Sequence, residues 1–454
     1  MENTPMRFLF FPFIQYPVIV MEMEKERTLS TIKIFLFWFP LALMWIMMAV
    51  EQPVITAVIA RLPFSKENLA VFGITFSIAL LIESPVIQML STGTALVKGR
   101  QTYHRVLKFM HFLAISLTLL HILIAVTPLY SFIVGRIIGA PEDLLEPSRN
   151  AFLVMVPWAA SIGYRRLWQG VLIRFGKTEV IPITMIIRLL VSATVLMFGF
   201  FTKLLSGAVL GALALSAGVI AGAVASYVFL NKIKKQFLTE TENDEEKLSL
   251  KDFVSFYYPL ALTSFIMLLV RPIITTGLAR APEPLASLAV WPVIHSFLFM
   301  FNSMAISSQE VIIALLHDRK SYYALRKFIY LLSAILGSLF LIVSLTLLSD
   351  VWFRNIVGLS EELLEYVHTP LLILFVVPVI VSFISLFRGI QIVHKRTGNI
   401  SRAVALNCIT LTILVFTIPQ LLAIPGVVIA SLSFVTALLA ELTFLRWLGS
   451  GLEF

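Results

Sequence analysis

The chain is short of several things that soluble proteins of its length use freely. It has one cysteine, Cys408, in 454 residues, so it can build neither an internal disulfide nor a cysteine metal cluster. Charged residues make up 13% of the chain, against roughly a quarter in an ordinary soluble domain. Strict polar–apolar alternation is missing, which excludes a membrane β-barrel. There is no Walker A sequence, no GxSxG and no HExxH, and no soluble stretch large enough for a nucleotide-binding domain. ATP-driven pumping therefore has no seat in the sequence. An enzyme acting on a lipid phosphate would need a nucleophile, an acid–base pair or a metal cluster, and no such spacing occurs. No enzyme activity and no bound cofactor are expected.

What the chain does have is apolar length: 59% of residues are hydrophobic. Continuous apolar runs of this kind specify an all-α polytopic membrane protein. Hydropathy places twelve spans at about 31–60, 69–97, 106–127, 148–172, 178–201 and 206–230, then 253–279, 286–315, 325–348, 367–392, 399–421 and 426–448. Between the two sets of six, residues 231–252 include TETENDEEK and read as a charged linker. Residues 1–30 hold a short run, Phe8–Met21, interrupted by Pro12 and Pro17. Two readings stand for it: an interfacial segment, or translation that begins at Met21 or Met23. The organisation expected is an N-terminal segment (1–30), a first half (31–230), the linker (231–252) and a second half (253–454).

The halves are repeats in one ungapped register. A shift of 219 residues takes Pro40-Leu41-Ala42-Leu43 to Pro259-Leu260-Ala261-Leu262, Pro53 to Pro272, and Ala60-Arg61 to Ala279-Arg280. It continues through Arg100 and Arg319, Tyr103 and Tyr322, Leu144-Leu145-Glu146 and Leu363-Leu364-Glu365, and Gly207 and Gly426. Shared apolar composition produces scattered Leu or Ala matches, but not one register through proline, glycine, arginine and tyrosine.

Loops after the even spans carry the bases, among them Lys98, Arg100, Lys232, Lys234, Arg319, Lys320, Lys395 and Arg396. The positive-inside rule then puts both termini on the cytoplasmic side of the inner membrane. Six spans per half is even, so the halves share one orientation about an axis along the membrane normal. The third loop of each half, PLYSFIVGRIIGAPEDLLE and SDVWFRNIVGLSEELLE, reads as a short amphipathic helix on the outer surface. Two like-oriented bundles enclose a central cavity that opens to either side as they rock.

Intramembrane polar residues are costly and mark function by default. The first span carries Glu51, Gln52 and Pro53, and the proline predicts a kink beside the carboxylate. At the shift of 219, Gln52 meets Arg271 and Glu51 meets Val270. If the first and seventh spans face each other, Glu51 and Arg271 approach across the cavity, as coupling acid and anion-holding base; a static salt bridge or a snorkelling Arg271 is the plainer alternative. The fourth span offers Arg165 and Gln169 on one face and Arg166 about 100° away. Two guanidiniums in an apolar span favour a bound anion, unless one pairs with Glu83 or Glu310. The tenth span, the repeat counterpart of the fourth, offers Arg388 and Gln391. Glu83, Glu310, His295 and Asn302 add polar groups to the second and eighth spans, with His295 more easily read as a hydrogen-bonded packing residue. Glu441 stands five residues before Arg446, too far for the usual helical pair. The Gly/Ala/Ser run of LLSGAVLGALALSAGVIAGAVASY predicts close helix packing.

Twelve spans in two parallel sixes, with an outer amphipathic helix after each third span, resemble the multidrug/oligosaccharidyl-lipid/polysaccharide (MOP) exporter superfamily. Within it, Glu51-Gln52, SFYYPLALTSFIMLLVRPIITTGLAR (Ser255–Arg280), SRNAFLVMVPW (Ser148–Trp158) and PGVVIASLSFVTALLAE (Pro425–Glu441) are most similar to the progressive ankylosis family. The resemblance covers about residues 30–448 and implies a MATE-like fold and export of small anions such as pyrophosphate, nucleotides or citrate-like acids. The expectation is a secondary transporter that exports or exchanges a small organic or phosphorylated anion, with H+ or Na+ as the candidate coupling ion. A lipid-linked oligosaccharide flippase is the first alternative, since its cargo also carries pyrophosphate; MATE-type drug efflux is the second, and a scaffold that transports nothing is the last. Expected partners are membrane lipids and the anionic or lipid-linked cargo, with no nucleic acid, and the chain is expected to be a monomer.

Overall fold

A computed structural model describes residues 29–59, 61–138, 142–239, 249–357, 359 and 361–449. The N-terminal segment, save its last two residues, and the acidic stretch 240–248 of the linker lie outside the described residues. Among the described residues there is no strand; the chain is helical throughout. The spans are α1 (Thr31–Ile59), α2 (Glu67–Leu96), α3 (Arg100–Val126), α4 (Leu145–Val154 with Trp158–Arg174), α5 (Val180–Thr202), α6 (Gly207–Lys234), α7 (Leu250–Ala279), α8 (Ala286–Leu315), α9 (Arg319–Leu345), α10 (Glu361–Val393), α11 (Thr397–Leu421) and α12 (Gly426–Leu448).

Eleven of these are long and apolar enough to cross a membrane. The exception is α4, whose helix gives way to a turn over residues 155–157. Pro157 supplies no N–H and disfavours helix at the residue before it, so the span is made of two shorter pieces. In α10 the helix breaks at the same level of the repeat, over residues 375–376, with Pro378 just beyond. Helix α1 is helical across Thr31–Ile59; the side chain of Pro53 lies outside the described residues.

The register of 219 reappears in three dimensions. The backbone N–H of Ala208 donates to Asn68 Oδ1, and that of Val427 to Ser287 Oγ, each at 3.0 Å. These tie equivalent helix starts, α6 and α12, to equivalent turns of α2 and α8. The third loops also match, a helical turn running over Phe132–Ile138 in one half and Val351–Ile356 in the other. The small residues of α6 pack as expected. A Cβ on Gly211 would meet Ile59 at 2.8 Å and Phe72 at 3.0 Å.

Contacts between the halves gather at one end. Trp38 Nε1 of α1 donates to the Met304 carbonyl of α8 at 3.2 Å. Its repeat-equivalent, Tyr257 of α7, donates through its hydroxyl to the Pro85 carbonyl of α2. Gln88 Nε2 donates to Ser264 Oγ at 3.0 Å, and the rings of Phe109 and Phe253 lie 4.4 Å apart. Ile34, Trp38 and Leu41 of α1 share a buried cluster with Ala305, Ile312 and Phe328 of α8 and α9. Every one of these residues belongs to the half of its helix that runs to the basic loops. Among the described residues, the hydrogen bonds that join the two halves thus lie toward the basic-loop end.

Candidate functional site

Three buried arginines converge in the first half. Arg165 and Arg166 come from α4 and Arg188 from α5, with 1%, 7% and 5% of their surface exposed. Helix α6 makes room for them with glycine. A Cβ on Gly222 would lie 3.2 Å from Arg165 Cδ and 3.3 Å from Arg188 Cβ, and one on Gly218 would lie 3.0 Å from the Arg188 carbonyl.

Arg188 was not among the candidates read from the sequence, although an arginine inside the run IPITMIIRLLVSA is the signal that flags such a site. It is the partner of Glu51. Its Nε donates to Glu51 Oε1 at 3.0 Å and its Nη2 to Oε2, a bidentate pair, while Ser192 Oγ donates to Oε1 at 3.2 Å. This corrects the expected pairing of Glu51 with Arg271. Arg271 is exposed on α7 and lies near His295 of α8. A partner on α5 satisfies the buried acid within its own six-helix half, so no contact across the cavity is needed.

Arg165 behaves as its spacing predicts: Nη1 donates to Gln169 Oε1 at 3.2 Å and also contacts Met185 Sδ at 3.6 Å. Gln169 is held in turn by Thr184 Oγ1, 3.0 Å from its Nε2. The Arg166 guanidinium lies 5.9 Å from the centre of the Trp45 ring. Among the described residues neither Arg165 nor Arg166 forms an ion pair, so the pairing with Glu83 or Glu310 is not made. Glu83, 5% exposed, sits in the field of Arg166, Arg165 and Arg188 without touching them. Arg165 Nε, Arg166 Nε and Arg188 Nη1 are buried with no hydrogen-bond acceptor. Guanidinium N–H groups left in that condition cost a few kcal/mol each, and an anion is what would satisfy them.

The second half is built differently. Arg388 of α10 donates through Nε and Nη2 to Glu441 Oε1 at 2.9 and 2.5 Å, and Asn407 Nδ2 of α11 donates to Oε2 at 2.9 Å. Glu441 thus finds its base on α10 and not in Arg446, and Arg388 already holds a carboxylate. Gln391, expected beside Arg388, accepts instead from Asn399 Nδ2 at 2.9 Å. His295 packs against Trp291 and Phe434 with ring centres 6.0 and 6.2 Å away. Asn302 is buried with Oδ1 unpartnered, and Gln52 is half-buried beside Glu51.

A third acid lies on the seam. Ser91 Oγ of α2 donates to Glu310 Oε1 of α8 at 2.6 Å, and these two residues are themselves 219 apart. Repeat-equivalent residues touch only where they straddle the pseudo-two-fold axis, so Glu310 marks that axis inside the closed end. Gln309 Nε2 reaches the same hydroxyl at 3.3 Å, and Glu310 Oε2 has no donor.

This arrangement, two like-oriented six-helix bundles closed at one end with charged groups buried in each, is the fold of the MOP-superfamily transporters. A MOP superfamily transporter from Pyrococcus furiosus, described as having a binding pocket of reverse polarity that suggests a different function, superposes with a TM-score of 0.72 at 14% identity, covering 93% of this chain and 98% of that one. A multidrug resistance MATE family transporter in its outward-facing conformation superposes at 0.70, with 15% identity over 93% and 98% of the two chains. A Vibrio cholerae MATE transporter gives 0.67, with 15% identity over 92% and 97%. No protein-family model and no curated protein matches the sequence.

Proposed function

We propose that the chain is a secondary transporter that exports or exchanges a small organic or phosphorylated anion by alternating access. The observation that carries this is the cluster of Arg165, Arg166 and Arg188, in which three N–H groups are buried without acceptors and, among the described residues, Glu51 is the one carboxylate ion-paired to an arginine of the cluster. A basic site of this kind attracts anions and repels the cationic drugs suited to MATE-type efflux. Pyrophosphate, nucleotides and citrate-like acids present the paired oxygens that planar guanidiniums bind.

The basic loops are taken as cytoplasmic, so that the closed end faces inward in this reading. Glu51, Glu83 and Glu310 are the acids available to a coupling proton or sodium ion. Arg271 of α7 is a further candidate anion contact in the second half, where Arg388 is already held by Glu441. Purified protein in liposomes should move labelled pyrophosphate, citrate or nucleotide, and Arg165→Gln should abolish most of that flux. Absence of movement for every anion, with transport of a lipid-linked pyrophosphate instead, would replace this reading with the flippase.

A further inference from the structure

We infer that Glu51 is the chain's own stand-in for the anionic group of the cargo, so that a proton on Glu51 and an anion in the arginine cluster bind together and not in competition. This rests on the anion reading above and fixes the sense of its coupling. Both Glu51 oxygens are engaged by Arg188, and Ser192 adds a third donor. A carboxylate held this way occupies the fork of donors that a phosphate or carboxylate of the cargo would take. Around this pair, Arg165 Nε and Arg188 Nη1 stand buried without acceptors, as does Nε of the neighbouring Arg166. An anion entering among them meets Arg188 already neutralised, and its charge repels that of Glu51. Adding a proton to a Glu51 oxygen removes one negative charge, leaves a neutral acid that Ser192 still contacts, and frees the Arg188 N–H groups for the anion. No other bond is made or broken.

The groups facing Glu51 allow this. Arg188 of α5 pairs with it and Arg165 of α4 lies in its field, while Arg166 of α4 and Glu83 of α2 stand beside those two arginines. Helix α6 presents Gly218 and Gly222, and neither His295 nor Glu310 of α8 pairs with Glu51. Glu83 adds a second negative charge to the field of the same arginines. The consequence is a direction: acid on the side of the anion should draw the anion with it, so a proton gradient drives uptake, and outward flux runs on the anion's own gradient or by exchange.

Proton uptake on binding is the direct readout. Sulfate and pyrophosphate are titrated calorimetrically into detergent-purified protein, in two buffers of different ionisation heat, from about pH 5 to about pH 8. Sulfate carries no titrating proton in that range, so any uptake belongs to the protein. The wild type should take up close to one proton per anion at the upper end, and its affinity should fall by as much as about tenfold per pH unit there. Glu51→Gln, permanently neutral, should bind with affinity that no longer changes in this way and exceeds the wild type's at high pH. Glu51→Asp, which keeps a titrating acid if the Gln variant does not fold, should retain the proton uptake. Anion binding with no proton uptake by the wild type, or with the same pH dependence in Glu51→Gln, overturns the inference while leaving the anion reading intact. If neither anion binds any variant at any pH, the anion reading itself falls, and this inference with it.

Discussion

Each half of the molecule buries one arginine–glutamate pair, and the two pairs are not copies of each other. In the first half Arg188 sits on α5 and Glu51 on α1, with 6% and 5% of their side chains exposed; in the second, Arg388 sits on α10 and Glu441 on α12, at 15% and 1%. The register equates Arg188 with Asn407, Arg388 with Gln169, Glu51 with Val270 and Glu441 with Gly222. One scaffold has therefore been given its acid on opposite helices. The second half closes its account with one base, one acid and one amide. The first sets Glu51, with Glu83 in the same field, against three guanidiniums, and the N–H groups left without acceptors are the surplus on which the anion reading rests. A duplicated fold supplies two equivalent pockets, and substitutions at four positions assign them different tasks.

The sharpest way to break this contrast is to remove the base from each pair. Arg188→Ala leaves Glu51 buried and unpaired, which costs about 3–5 kcal/mol. Arg388→Ala should cost less, since its guanidinium is partly open and Asn407 remains on Glu441. Thermal unfolding in detergent measures both; Arg388→Ala as the more damaging change would reverse the ranking of the two sites. The double variant Glu51→Gln with Arg188→Gln should recover most of the loss, because two neutral amides replace an orphaned charge.

The glycines of α6 sharpen the same contrast with a smaller change. Gly218→Ala would put a Cβ 2.0 Å from Ser192 Oγ and 3.0 Å from the Arg188 carbonyl. The hydroxyl can turn away, but only by giving up Glu51, and the backbone carbonyl cannot move far. Overpacking of this kind costs about 1–3 kcal/mol. Its equivalent in α12 is Ala437, already an alanine and fully buried, so the second half tolerates the methyl that the first excludes. Anion binding in Gly218→Ala should weaken together with stability. Full stability with unchanged binding would mean that the α5–α6 approach does not shape the cluster.

The sequence carried most of the fold because its repeat is strict. Proline, glycine and capping positions recur at 219 residues, and the structure repeats their hydrogen bonds, down to Asn68 and Ser287 holding equivalent helix starts. The sites were legible only in part. Arg165 and Gln169 met because four residues on a helix fix their distance. Glu51 was assigned to Arg271 because symmetry makes α1 and α7 counterparts, but symmetry says nothing about which side chains reach. A buried carboxylate needs a partner, and Arg188 supplies one from inside the same half, with no help from α7. Arg188 itself was visible as a lone arginine in an apolar run and passed over beside the denser cluster of α4. The Gly222 and Glu441 equivalence was also written in the register; its meaning needed the neighbours.

The closed end offers the last and smallest test, one in which the halves should respond alike. Trp38 donates to the Met304 carbonyl and Tyr257 to the Pro85 carbonyl, and both members of each bond are repeat-equivalents. Tyr257→Phe and Trp38→Phe each remove one donor, worth about 0.5–1.5 kcal/mol. Neither bond survives separation of α1 from α8 or of α7 from α2, so the loss falls on the closed state alone. Each variant should shift the balance toward the state open at the basic-loop end by about threefold to tenfold. A cysteine placed at Ser84, in a background with Cys408 replaced, should then react faster with a membrane-impermeant maleimide added from that side. Equal acceleration in the two variants is the expected outcome. A response from Tyr257→Phe alone would show that α7 closes the end without help from α1, and that the two seams are no more equivalent than the two ion pairs.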